Sequence, residues 1–144
     1  MKEDTLNPEA MLCFDVYTLQ QAFGRLYKPL LDPLGLTYPQ YLVMVVLWEG
    51  DALPVTAIGG RIGLDSSTLT PLVKRLEQAG LVTRTRDSED ERRVIVKLTE
   101  AGRALRLKAS DIPACVEAAT GLDRRAIADL RAQLARLRHA ITSA

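Results

Sequence analysis

The sequence predicts a mainly α-helical fold with one small β-hairpin, and three observations carry that expectation. Leu12, Val16, Leu19, Phe23, Leu26 and Leu30 recur at spacings of four and three, the period of one helix face. Leu64 to Gly102 reads in order as a capped helix, an Ala-Gly exit, a strand, a charged turn, a second strand and the start of another helix. Ile127, Leu130, Leu134, Leu137 and Ile141 repeat the helical spacing once more near the end. With 144 residues, 47% hydrophobic and 26% charged, the chain suits one domain spanning 1–144 that needs no disulfide to hold a core.

Each element has its own local reason. After a short polar leader the first helix should run about five turns, until two prolines and a glycine in KPLLDPLG stop it. Thr37 is placed to cap YPQYLVMVVLWEG, a helix so apolar that burial on most sides is expected. PVTAIGGRIG reads as a short third helix whose glycine pair permits close packing. Asp65, Ser66 or Ser67 can cap the fourth, with Leu69, Leu72, Val73 and Leu76 as its core face. Pro71 removes one internal hydrogen bond there, so a small distortion rather than a stop is expected. Gly80 ends that helix, and LVTRTR pairs with RVIVKL through the turn DSEDER. Thr99 with Glu100 opens a fifth helix expected to run on into DIPACVEAAT with a kink at Pro113, which puts Cys115 near its end; Asp123 opens the last helix. A helical arm at each end of a compact basic centre favours a dimer joined through the N- and C-terminal helices.

Charge distribution says more than net charge, which is only +1. Residues 1–60 carry three basic and seven acidic side chains, whereas 61–108 carry eleven basic and seven acidic. The middle of the chain is therefore the positive part, as a footprint for phosphate requires. The longest apolar run, Tyr41 to Trp48, is far too short for a membrane span, and MKEDTLNPEA lacks the basic and apolar regions of an export signal. A cytoplasmic protein without membrane partners is expected.

A major groove accepts one helix, and hydroxyl and amine side chains can meet base edges and phosphates there. Ser66, Ser67, Thr68, Thr70 and Lys74 are the candidate readers on the fourth helix, with Arg75 reaching toward the backbone. Arg84 and Arg86 alternate on the next strand, and Arg92 and Arg93 stand at the hairpin turn, where a finger can lower an arginine into a narrow minor groove. Asp90 is close enough to tether Arg92 or brace the turn. A charged surface on an unrelated fold is the plainer alternative, and the helix followed by a basic hairpin argues against it.

The pattern from Leu64 to Gly102, with Asp90-x-Arg92 in the wing and Leu98-Thr99 before the next helix, resembles the MarR family of winged helix-turn-helix repressors. The resemblance runs over nearly the whole chain. It implies a homodimer on a double-stranded DNA operator, with 10–36 and 103–144 as the helical dimerisation region and 37–102 as the winged DNA-binding lobe. It further implies that the helix at 66–78 reads the major groove and that Arg92 enters the minor groove.

Two cysteines, Cys13 and Cys115, form no CxxC, and with one histidine, His139, they make no metal cluster; neither cofactor nor metal is expected. Read from composition alone, a free cysteine is more often a small buried hydrophobe than a reactive group. The segments LCFDVY, YKPLLDPLGLTYPQYL and LDSSTLTP, however, are similar to the OhrR-type organic hydroperoxide sensors within the MarR family. That similarity implies that peroxide oxidises Cys13, that Tyr27 and Tyr38 hydrogen-bond its sulfur in the reduced state, and that Cys115 marks the subgroup locking oxidation as a disulfide. Tyr27 lies fourteen residues after Cys13, about 21 Å of rise on one straight helix, so such a contact must cross a dimer interface. A regulator of the same fold answering a phenolic ligand, a thiol peroxidase and a purely architectural DNA binder are the alternatives. No compact acid–base or arginine cluster beside Cys13 favours an enzyme, and none is expected.

Overall fold

The computed structural model describes residues 6–144, so the first half of the acidic leader, 1–5, lies outside the described residues. The Asn7 side chain accepts from the Ala10 amide at 2.9 Å, and a single 3-10 turn leads into helix α1, Leu12–Leu31. Pro29 sits in the last turn of α1, and a 3-10 turn at Asp32–Leu34 closes on Gly35. Helix α2, Tyr38–Glu49, begins with a reciprocal cap in which Thr37 accepts from the Gln40 amide and the Gln40 side chain accepts from the Thr37 amide. A helix with no polar face has only the core to occupy, and Val43, Met44, Val46 and Leu47 of α2 are buried.

Strand β1, Leu53–Pro54, leads directly into α3, Val55–Ile62, and α4, Ser66–Gln78. Strands β2, Val82–Arg86, and β3, Val94–Leu98, form the expected hairpin, and the sheet order is β1-β3-β2, antiparallel throughout. The sequence reading had no β1, because two residues are too few to show alternation; pairing of Leu53 with Val96 makes the strand. Of the three cap candidates for α4, Asp65 serves, accepting from the Thr68 amide at 2.8 Å. Leu69, Val73 and Leu76 are buried and Leu72 half-buried, which is the expected core face. Pro71 lies inside α4 without ending it. Gly80, at φ +78°, lets its own amide reach the Glu77 carbonyl at 2.9 Å and the Leu81 amide reach the Leu76 carbonyl at 3.0 Å, a paired closure that turns the chain into β2.

Helix α5, Glu100–Ala109, is capped by Thr99 and stops at Ser110, whose hydroxyl donates to the Leu107 carbonyl at 2.8 Å. A separate helix α6, Ile112–Thr120, follows. The kinked continuous helix expected around Pro113 is thus two helices. A proline ring fits the first turn of a helix, where no intrahelical N–H bond is required, and Pro113 takes that place at the start of α6. Cys115 consequently lies near the start of α6, its amide bonded to the Asp111 carbonyl at 3.1 Å, and not near the end of the fifth helix. Helix α7, Arg124–Thr142, is capped by Asp123, which accepts from the Ala126 amide at 2.8 Å.

The chain divides into two compact units, one ending at Ser110 and the other comprising Asp111–Ala144. In the first, α2 is the central element, with α1, α3, α4, α5 and β3 packed against it. Among the described residues no single helix is long and apolar enough to cross a membrane.

The paired glycines of α3 are not equivalent. A methyl group on Gly59 would run into the Leu64 carbonyl oxygen, whereas one on Gly60 would meet nothing within 4 Å. Gly59→Ala should therefore cost about 1–3 kcal/mol of overpacking, and Gly60→Ala should gain about 0.5–1 kcal/mol. Urea unfolding at one protein concentration measures both; equal midpoints for the two variants would refute the packing assigned to α3.

Candidate functional site

Helix α4 turns its apolar side inward, and Ser66, Ser67, Thr68, Lys74 and Arg75 are exposed on it. Their chemistry is partly committed to the helix itself. The Ser67 hydroxyl donates to Asp65 at 2.7 Å, and the half-buried Thr70 donates to the Ser66 carbonyl at 2.7 Å. Ser67 and the Thr68 amide hold the exposed Asp65 carboxyl below its ordinary range. Both hydroxyls retain acceptor capacity after donating these bonds, while Lys74 supplies positive charge.

In the hairpin the four arginines have different tasks. Arg84 turns back onto α4, where Glu77 accepts from its amide at 3.0 Å and from its guanidinium at 3.2 and 3.3 Å; the Arg84 side chain is only 26% exposed. Arg86 donates to the Glu91 carbonyl at 3.2 Å across the base of the turn. Arg93 approaches Asp87 at 3.8 Å, and its amide closes the turn on the Asp90 carbonyl at 2.9 Å. Arg92 is the outermost, 93% exposed. Asp90 both braces and tethers, accepting from the Arg92 amide at 3.1 Å and from its Nε at 3.4 Å.

Between α4 and the wing lies an open cleft of about 220 Å³, lined by Ser66, Thr70, Arg84, Arg92 and Arg93 together with the start of α3. The structure therefore brings together candidates from both halves of the Leu64–Gly102 stretch. Glu77, which fastens β2 to α4, escaped the sequence reading because an acid on a helix and an arginine seven residues later share no periodic signal.

Cys13 is the second residue of α1 and is exposed; Cys115, in the other unit, is also exposed, and both are free thiols. Tyr27 and Tyr38 stand together with ring centroids 4.8 Å apart. Tyr41, which the sequence reading passed over, completes the group at 6.0 Å from Tyr27 and 6.3 Å from Tyr38. Its place three residues after Tyr38 on one helix was the available signal. Burial, and then the neighbouring Tyr38 and Tyr41, push the Tyr27 phenol up to about 12; burial and Tyr38 also raise Tyr41. Both phenols are kept as hydrogen-bond donors.

A phenol raised above its unfolded value of 10.0 stabilises the fold below that pH, and the stabilisation is lost as pH climbs through about 12. An ultraviolet phenolate titration should show late ionisation whose amplitude Tyr27→Phe reduces. Ionisation of all four tyrosines together near 10.0 would contradict this packing.

The family of transcriptional regulators described as SarA/Rot matches residues 25–108. The organic hydroperoxide resistance transcriptional regulator of Bacillus subtilis (strain 168) is 47% identical over 130 residues, covering 90% of this chain and 86% of that protein. Among solved structures, reduced AbfR bound to DNA has a TM-score of 0.81 at 30% identity, covering 99% of this chain and 98% of its own. Disulfide-formed AbfR, at 35% identity over 95% and 96% of the two chains, has a TM-score of 0.64; AbfR is a protein of Staphylococcus epidermidis. Sequence identity over nine-tenths of the length, on a helical fold with a three-stranded wing, means that this chain belongs to the MarR/SarA family of winged helix-turn-helix transcriptional regulators.

Proposed function

We propose that this protein is a homodimeric repressor that holds its operator while Cys13 is reduced and releases it when an organic hydroperoxide oxidises that thiol. The observation that carries the reading is the unbroken α1. Cys13 and Tyr27 share it, fourteen residues and about 21 Å of rise apart, so the tyrosine group can meet this thiol only from a second copy of the chain. The rest of α1 supports such a partner. Leu31 is its only buried residue, and Leu12, Val16 and Leu19 stand exposed at helical spacing. Leu130, Leu134 and Ile141 of α7 are likewise uncovered. Apolar rows of this length are what a helical dimer buries.

The chemistry has two steps. The Cys13 thiolate attacks the peroxide; the O–O bond breaks, sulfur gives up two electrons, and an alcohol leaves behind a sulfenic acid. The Cys115 thiol of the other subunit then attacks that sulfur, forming the S–S bond and releasing water. Closure needs the two Cα atoms within about 7 Å, and the movement that brings them there misaligns the reading heads with half-sites one helical turn apart. Exposed Met11, Leu12 and Phe14 around Cys13 suit alkyl peroxides better than hydrogen peroxide. The protein works in the cytoplasm, where the disulfide is transient and reversible. It is a regulator and not an enzyme, as its relatives are.

On DNA, α4 occupies the major groove, with Ser66, Ser67, Thr68, Thr70 and Lys74 toward the bases and Arg75 toward the backbone, and Arg92 is the minor-groove finger. Arg93 and Arg86 hold the finger's shape, with Asp90 as its brace. Arg84 serves through Glu77 by fixing the wing against α4.

Arg92→Ala should weaken operator binding about tenfold or more with no change in stability, whereas Arg84→Ala should lower stability by about 1 kcal/mol. Operator shifts at fixed salt and urea midpoints separate the two; an Arg92→Ala protein that binds like wild type would remove the finger role. For the switch, wild type treated with one equivalent of cumene hydroperoxide should run as a covalent dimer on a non-reducing gel and lose its operator. Cys13→Ser should stay bound and monomeric on the gel, and Cys115→Ser should form no covalent dimer. Release of DNA by oxidant-treated Cys13→Ser would eliminate Cys13 as the sensor.

A further inference from the structure

The root of the wing is tied to the sensing tyrosines through one side chain. Trp48, the only tryptophan of the chain, stands with its ring 6.5 Å from that of Tyr41, which in turn packs on Tyr27 and Tyr38. At its other edge the indole Nε1–H donates to the Gly102 carbonyl at 2.8 Å, fifty-four positions away.

Gly102 is where the two strands of the wing are held. A side chain there would run into the Leu81 carbonyl oxygen, and Leu81 immediately precedes β2. The same carbonyl accepts from the Thr99 amide at 3.0 Å, and Thr99 immediately follows β3. The Thr99 hydroxyl donates to the Gly80 carbonyl at 2.6 Å and accepts from the Gly102 amide at 3.0 Å. One residue further along, Arg103 approaches Asp51 at 3.7 Å, and Asp51 accepts from the Leu98 amide at 2.8 Å. Arg106 adds a second bridge, donating to the Trp48 carbonyl at 3.2 Å. The end of α2, the start of α5 and both strand roots are thus one hydrogen-bonded joint, and Trp48 is the member that also touches the tyrosine group.

We infer that Trp48 is a positioning residue for the switch: its ring follows the packing of Tyr41 with Tyr27 and Tyr38, and its N–H bond to Gly102 passes that displacement to the root of the wing. The inference rests on the peroxide-sensing reading for its direction. The joint itself is independent of that reading. Because the root has no slack, a shift of the indole relative to α5 moves Leu81 and Thr99 together, and the hairpin turns as a unit.

Trp48→Phe keeps an apolar ring and removes the donor; Arg106→Gln removes the second bridge from an exposed position and serves if the first variant folds poorly. Reduced Trp48→Phe should bind operator within about threefold of wild type and form the Cys13–Cys115 disulfide at the same rate. Its loss of affinity on treatment with cumene hydroperoxide should shrink to less than about fivefold, below the range usual for coupled sites. Hydrogen exchange of the reduced proteins should also show amides of 82–98 opening about tenfold faster in the variant, as expected of a loosened local unit. Full oxidative release together with unchanged exchange in both variants would overturn the role of Trp48. A wild-type protein that keeps its operator after oxidation would overturn the sensing reading, and the exchange comparison would then decide the joint alone: faster exchange upholds it and equal exchange rejects it.

Discussion

The approach of the Leu81 carbonyl to the bare backbone of Gly102 is the constraint on which the placement of the wing depends. At that spacing α5 can cross the wing root only where a residue has no side chain. The crossing sets where β2 leaves α4 and where β3 returns, so the height of the turn bearing Arg92 follows from it. It also leaves the Gly102 carbonyl accessible to the indole of Trp48 and the Gly102 amide to the Thr99 hydroxyl. The Leu81, Gly80 and Gly102 carbonyls and the Thr99 and Gly102 amides are all bonded there, and among the described residues no buried side-chain polar atom lacks a partner. Such saturated polar joints move as blocks, because giving up any one bond inside them exposes an unpaired group.

Much of this was legible in the residues. Helical periodicity located α1 and α7, cap chemistry located the starts of α2, α4, α5 and α7, and Gly80 located the exit into the hairpin. What escaped has physical reasons. Strand β1 is defined by its partner and not by its own pattern. The break at Ser110 turns on a proline that reads as a kink or as a helix start depending on whether the preceding turn is sacrificed. On the functional side, the family resemblance picked out the two tyrosines, and the structure sets their rings side by side at a tilt. Glu77 and Trp48 remained invisible because each works through a partner off its own helix, which leaves no periodic trace, whereas Tyr41 had a signal in its spacing from Tyr38.

The two ends of the proposed mechanism lie on elements with opposite mechanical character. Helix α1 is long, continuous and nearly bare, so its chemistry waits on whatever second surface covers it. Helix α2 is buried and capped at both hydroxyl and amide, and it joins the tyrosine group at its start to the wing joint at its end. A rigid strut between a responsive surface and a hinged one suits a switch, since displacement is passed on instead of absorbed.

The staple between Glu77 and Arg84 has a consequence for the DNA. With the amide and the guanidinium of Arg84 both held by one carboxylate of α4, the helix and the finger form a single caliper of fixed opening. Under the proposed docking, the base pairs beneath α4 and those beneath Arg92 are read as one ruler. Inserting a base pair between them displaces one part by about 3.4 Å along the duplex, more than a fastened wing can follow. Operators of such a protein are then free to vary in sequence between the two points, but not in length.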